Sequence, residues 1–136
     1  MVQFDKQFSG SFFRIMGNHK EEFFDSFYEQ FMNSSDEIKE KFINTDMVKQ
    51  KKMLEKSIYS ILDFFLQNII SDEMERIAAM HNKKALDIKP HLYDIWVDCL
   101  IDTARKYDPE FNEDIELAWR MVISNGVTYM KFKYDK

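Results

Sequence analysis

The sequence predicts an all-α fold, and three observations carry that prediction. Glycine and proline are scarce, at 3 and 2 of 136 residues, so few positions break or turn the backbone. Apolar residues recur every three or four positions along most of the chain, the spacing of helices with one buried face. No segment alternates apolar and polar residues as a half-buried strand does. A chain of 136 residues is expected to form a single domain spanning 1–136. At that size roughly two-thirds of the unfolded surface can be buried, so no disulfide staple is required.

The elements follow from local signals. A first helix is expected over 4–17, with Phe8, Phe12 and Ile15 inward. "GNHKEEFF" ends it and starts a second, with Glu21 and Glu22 in the first turn where the helix dipole favours carboxylates. Phe24, Phe27, Tyr28 and Phe31 then recur at helical spacing. Ser35 or Ser34 can cap a short helix ending near Phe42, and Thr45 or Asp46 the next. A long helix over 46–70 carries the stripe Met47, Gln50, Leu54, Ser57/Ile58, Ile61 and Phe65. Asp72 is the expected cap of a helix over 73–85, with Met74, Ile77, Ala78, His81 and Ala85 on one face. "LDIKP" breaks it, and Pro90 suits the first turn of the next helix, where its missing N–H costs nothing. That helix buries Leu92, Ile95, Trp96, Cys99, Leu100 and Thr103. After the turn "KYDPEFNED", a last helix over 110–133 turns Ile115, Ala118, Trp119, Val122, Ile123, Val127 and Met130 inward.

Composition excludes several function classes. The formal charge of −5 disfavours a nucleic-acid surface, and the basic run "KQKKMLEK" reads as a solvated helix face. A single cysteine, Cys99, cannot form an internal disulfide and suits a reducing compartment. The N-terminal stretch lacks an apolar secretion core, and "SIYSILDFFLQNII" is too short to span a bilayer and carries Asp63 and Gln67. A cytoplasmic protein with no membrane or nucleic-acid partner is therefore expected. The 13 Phe, 9 Met and 6 Tyr fit either an aromatic core around nothing or helices that enclose something large.

Three polar residues lie on apolar stripes: Tyr28, Gln50 and His81. A buried polar group left unpaired costs about 1–3 kcal/mol, in a domain stable by about 5–15 kcal/mol. Each has an ordinary explanation: a hydrogen-bonded core histidine, a tyrosine whose hydroxyl reaches water, a glutamine at a stripe edge. Spacing leaves those readings open. The alternative is that all three face one polar object inside an apolar cage, and an iron porphyrin is such an object.

The order of these segments resembles the bacterial globins, in particular single-domain haemoglobins and the haem domain of flavohaemoglobins. "FFDSFYEQFMNSSDEIKEKF" resembles the B and C helices, "NTDMVKQKKMLEKSIYSIL" the E helix, and "RIAAMHNKKALDIKPHLYDIW" the F helix, the following corner and the start of the G helix. "AWRMVISNGVTYM" resembles the H helix, with Trp119. The resemblance covers nearly the whole chain and implies a globin fold of about seven helices around a haem pocket. It implies haem b as cofactor, His81 as the proximal iron ligand, and Tyr28 with Gln50 as distal residues. Phe42 would stack on the ring, Leu54 would lie over it, Tyr93 would be the pocket tyrosine that ends "IKPHLY", and Phe27 a neighbouring wall residue. The carboxylate that flavohaemoglobins carry late in the H helix has no match here.

What the resemblance implies for function is binding of dioxygen, nitric oxide or carbon monoxide. Nitric oxide dioxygenation is its enzymatic form, and with no flavin or nicotinamide motif present it would draw electrons from an external donor or reductase. Gas or redox sensing through partner contacts, and a haem-free interaction module, are the alternatives. A monomer and a homodimer are equally compatible with the sequence. Lys49, Lys51 and Lys52 are candidate partners for the porphyrin carboxylates. Met53, Met80, His19 and His91 are weaker candidates for any ligating role.

Overall fold

Trp119 sits at the centre of the core with no solvent exposure. Phe8 meets it edge-on with ring centroids 4.7 Å apart, and Phe12 and Phe23 close around it at 6.3 Å. Its indole N–H donates to the equally buried Ser11 hydroxyl at 3.0 Å. Pairing removes the desolvation cost of about 1–3 kcal/mol that a buried lone donor would carry. The inward faces expected from helical periodicity thus meet at one point.

The computed structural model describes residues 3–136, and those residues form six helices and no strand. They are α1 (Phe4–Met32), α2 (Asp36–Lys41), α3 (Met47–Gln67), α4 (Asp72–His81), α5 (Pro90–Tyr107) and α6 (Glu113–Lys133). α1 packs on α5 and α6, and α3 crosses α6. The all-α expectation holds. The count is six because the two expected N-terminal helices form one element with a kink at His19 (φ −143°, ψ 32°). Gly17 does not adopt the left-handed conformation that would end a helix, and the Asn18 side chain donates to the Arg14 carbonyl at 2.9 Å instead.

Capping sets the other boundaries. Ser35, not Ser34, accepts from the Ile38 N–H at 3.1 Å and starts α2. Asp46, not Thr45, accepts from Val48 and Lys49 and starts α3. Asn68 takes the left-handed conformation (φ 56°) and stops α3 at Gln67, three residues short of expectation. The cap of α4 is Ser71 rather than Asp72, through a bond from the Met74 N–H at 3.2 Å. α4 ends at His81 rather than at residue 85. The Asn82 side chain accepts from the N–H groups of Lys84 and Ala85, a local turn that competes with the helix and leaves Ala85 exposed. Asn112 caps α6, so Glu110 stays in the preceding turn.

Arg14 of α1 makes a two-pronged bond to Asp108 at the end of α5, at 2.8 and 3.0 Å. Burial alone would raise the Asp108 carboxyl, but hydrogen bonds from Arg14, Ser11 and the Glu110 N–H outweigh it and hold it below the usual range. No helix among the described residues is long and apolar enough to cross a membrane.

Candidate functional site

α3 and α4 pack on α6 but not tightly against every other helix. They leave a cavity of about 190 Å³ to which all six helices contribute. Its walls are mostly apolar, with Phe31, Phe42, Leu54, Ile77, Leu92 and Met130 among them. Tyr28, Gln50, His81 and Tyr93 also line it, so the three polar residues of the apolar stripes do face one space.

His81 is the last residue of α4. Its ring Nδ1 lies 2.7 Å from the Ile77 carbonyl, one turn back. A carbonyl only accepts, so Nδ1 carries the proton and Nε2 keeps its lone pair. Nε2 has no hydrogen-bond partner among the described residues. Burial lowers the imidazole pKa, and the Ile77 bond only partly opposes it, so the neutral form with a free nitrogen is favoured. The arrangement suits a metal ligand, since the second ring nitrogen of such a histidine is normally oriented by this kind of bond.

Tyr28 comes from α1 and Gln50 from the first turn of α3. The Gln50 side-chain amide donates to the Tyr28 hydroxyl at 3.2 Å, and that hydroxyl makes a long contact of 3.5 Å to the Gln50 backbone carbonyl. Burial pushes the Tyr28 phenol up to about 12, so it stays protonated at neutral pH. Phe42, just after α2, packs edge-on to Tyr28 and Phe31 at 5.7 and 5.9 Å, and Leu54 lies one turn beyond Gln50. Tyr93 is only 8% exposed, and burial raises its phenol. No buried side-chain polar atom among the described residues is left unpaired, so its hydroxyl, which makes no hydrogen bond to them, opens onto the cavity. Phe27 is fully buried but does not line the cavity; it packs behind Tyr28 and stacks on Phe31.

The rim carries Lys41, Lys56 and Arg76, the last paired with the lining Glu73 at 2.7 Å. Lys49, Lys51 and Lys52, which the sequence offers as candidates beside a solvated-face reading, are not among these cations. Lys51 bonds to Asp25 at 2.6 Å, and Lys49 and Lys52 lie outside the lining. Lys56 follows Lys52 by one turn, and only the register of α3 distinguishes them. Met53 and Met80 line the mouth, while His91 pairs with Glu37 and His19 with Glu22 on the surface. Gly126 forms part of the inner wall, where an added Cβ would meet Ile61 Cγ1 at 3.2 Å.

The corner after His81 is tied from outside. The Ile88 N–H donates to the His81 carbonyl at 3.1 Å, and Lys41 Nζ to the Leu86 carbonyl at 3.0 Å. Tyr134 holds both ends: its carbonyl accepts from the Lys83 N–H at 2.8 Å, and its hydroxyl donates to the Asp87 carboxylate.

No protein-family model matches the chain, and no curated protein does. Among solved structures it is similar to a Pseudomonas aeruginosa protein described as structurally highly homologous to a human haemoglobin. The TM-score is 0.92 at 30% identity, over 98% of this chain and 100% of that one. The chain belongs to the globin family. In this globin, α1 covers the segments expected as A and B helices, α2 the C helix and α3 the E helix. α4, α5 and α6 cover those expected as F, G and H.

Proposed function

We propose that this globin, acting as a single domain over 1–136, binds haem b through His81 and holds diatomic gases there. The observation that carries the reading is the His81 imidazole, protonated at Nδ1 by its bond to Ile77 and free at Nε2, on the wall of an apolar cavity. The other lining groups fit the same occupant. A porphyrin is a broad apolar disc with two carboxylates on one edge. The walls are apolar, and Lys41, Lys56 and Arg76 stand at the rim where those carboxylates would lie. The Tyr93 hydroxyl at the cavity wall would supply one more donor.

The iron porphyrin would supply reversible binding of dioxygen, nitric oxide or carbon monoxide. His81 would hold the iron from the α4 side. Tyr28 and Gln50 offer donors to a polarised ligand from the α1 and α3 side. A hydrogen bond to a charged acceptor contributes about 1.5–3 kcal/mol, which corresponds to roughly a 10- to 100-fold slower loss of that ligand. Phe42 and Leu54 line the cavity, where they would exclude water from the ring. Phe27 fixes Tyr28 from behind. This emphasis on holding dioxygen favours nitric oxide detoxification, with electrons drawn from an external donor. A reducing compartment such as the cytoplasm belongs to the same reading, since the lone cysteine, Cys99, is buried and has no second cysteine to pair with.

Optical spectra of the haem-reconstituted protein in ferric, ferrous, oxygenated and carbon-monoxide states test the assignment. A Soret band with the shifts of a histidine-ligated haem is expected. Failure to take up haem at all would sink it.

A further inference from the structure

Two of the methionines that line the cavity are also open to solvent: Met53 from α3, 44% exposed, and Met80 from α4, 36% exposed. Met74 and Met130 line the same cavity but are buried. Solvent reaches an exposed thioether and can oxidise it, whereas a buried one is shielded. Met80 differs from the other exposed methionines in its surroundings. The Arg76 guanidinium donates from Nη1 to the Met80 sulfur at 3.4 Å, and from Nη2 to Glu73 at 2.7 Å. Neither the Met53 sulfur nor that of Met121 on α6, 41% exposed, accepts a hydrogen bond from the described residues.

Position gives this sulfur its leverage. Met80 is the residue before His81, at the end of α4. Its carbonyl accepts from the Leu86 N–H at 3.0 Å, and the His81 carbonyl accepts from the Ile88 N–H at 3.1 Å. The backbone here is held by the corner that follows. A change in the Met80 side chain therefore falls on the cavity wall and on Arg76, not on the helix end.

We propose that Met80 is a hydroperoxide-reactive site, with Arg76 as the assisting donor, and that its sulfoxide loosens the wall beside His81. A sulfur lone pair attacks one oxygen of hydrogen peroxide, an S–O bond forms and the O–O bond breaks. The proton on the attacked oxygen passes to the leaving one, which departs as water. Sulfur loses two electrons and the peroxide gains them. Negative charge builds on the leaving oxygen, where a guanidinium N–H already beside the sulfur can stabilise it. The sulfoxide oxygen is a far better acceptor than the thioether sulfur, so it draws Arg76 to itself. It also puts a polar group on a wall that packs by apolar contact. The loosening of a bound porphyrin rests on the haem reading above; the reactivity of Met80 does not.

The test adds hydrogen peroxide to the ferric haem protein, with cyanide on the iron to keep peroxide from it, and follows each methionine by peptide mass spectrometry. Met80 should form sulfoxide about threefold or more faster than Met53 and Met121, an effect of the size of one net hydrogen bond. Arg76→Gln should bring Met80 down to their rate. Once peroxide and cyanide are removed, haem transfer to apomyoglobin should be about threefold or more faster than before treatment. Met80→Leu, which nearly keeps the apolar volume, should abolish that increase. Oxidation in order of exposure, with Met53 and Met121 ahead of Met80, would overturn the site. So would an Arg76→Gln protein in which Met80 keeps its rate. Haem loss that rises equally in Met80→Leu would overturn the effect on the wall. If the protein takes up no haem, the haem reading falls and the wall effect with it, while the order of oxidation in the purified protein still decides Met80.

Discussion

Gln50 donates its side-chain amide to the Tyr28 hydroxyl at 3.2 Å, joining two helices at residues 22 positions apart. The pair is satisfied internally before any ligand arrives. A ligand entering between α1 and α3 would compete for donors that are already bonded to one another. Removing the Tyr28 hydroxyl by Tyr28→Phe should speed dioxygen loss by at least about tenfold, or about 1.4 kcal/mol, with carbon monoxide much less affected. Gln50→Leu should act in the same direction. The double variant should be non-additive, because the two groups share a bond. Stopped-flow dissociation rates measure all three. Because the Tyr28 phenol is held up at about 12, dioxygen loss should be flat across neutral and mildly alkaline pH.

His81→Ala should remove the axial ligand and with it the histidine-type ferrous spectrum. Added imidazole should restore part of that spectrum, since the cavity wall keeps its other residues. An unchanged ferrous spectrum in the variant would rule out His81 as ligand. The parent should also melt at a higher temperature with haem than without, as a ligand bound only by the folded state stabilises it.

Nitric oxide added to the oxygenated protein should be converted to nitrate once per haem. Continued turnover should appear only when a reductase is supplied. Multiple turnovers without any electron source would contradict the need for an external donor.

The Arg14–Asp108 pair ties the start of the chain to the end of α5, with the Asp108 side chain fully buried. Arg14→Met should destabilise the fold by on the order of 3 kcal/mol, because it strands a buried carboxylate. The Asp108 carboxyl is depressed in the folded state. Its stabilisation is therefore full above the ordinary value of 3.8 and is lost as pH falls below it. Urea unfolding of the parent and Asp108→Asn at several pH values should show a steep acid limb in the first and a shallower one in the second.

Helical periodicity predicted which residues would be inward with little error. Phe8, Phe12 and Trp119 are at the core, and Tyr28, Gln50 and His81 meet in one cavity. Periodicity works here because each helix has a single buried face. Boundaries were harder, because side chains compete locally with the helix: Asn82 ended α4 four residues early, and Asn68 ended α3 in a left-handed turn. Sequence alone does not select the rim cations: "KQKKMLEK" reads as a solvated face, and Lys49 and Lys52 do stay outside the cavity lining while Lys56 enters it. Lys52 and Lys56 are alike in type and lie on neighbouring lines of α3, so only the tertiary position of that helix selects Lys56. Phe27 and Phe42 show the same limit. Both are aromatic and near Tyr28, but which one meets the cavity depends on the turn after α2.

The double attachment of Tyr134 to Lys83 and Asp87 has a consequence for the order of assembly on the ribosome. The chain emerges N-terminus first. The segment carrying His81 leaves the exit tunnel about fifty residues ahead of the tyrosine that ties its corner. Until residue 134 is free, that corner is held by its own turn, by Lys41 and by the Lys89–Glu37 pair. The wall that carries His81 is thus the last part of the cavity to become rigid, and on the haem reading proposed above capture of the cofactor belongs to the end of synthesis rather than to its middle.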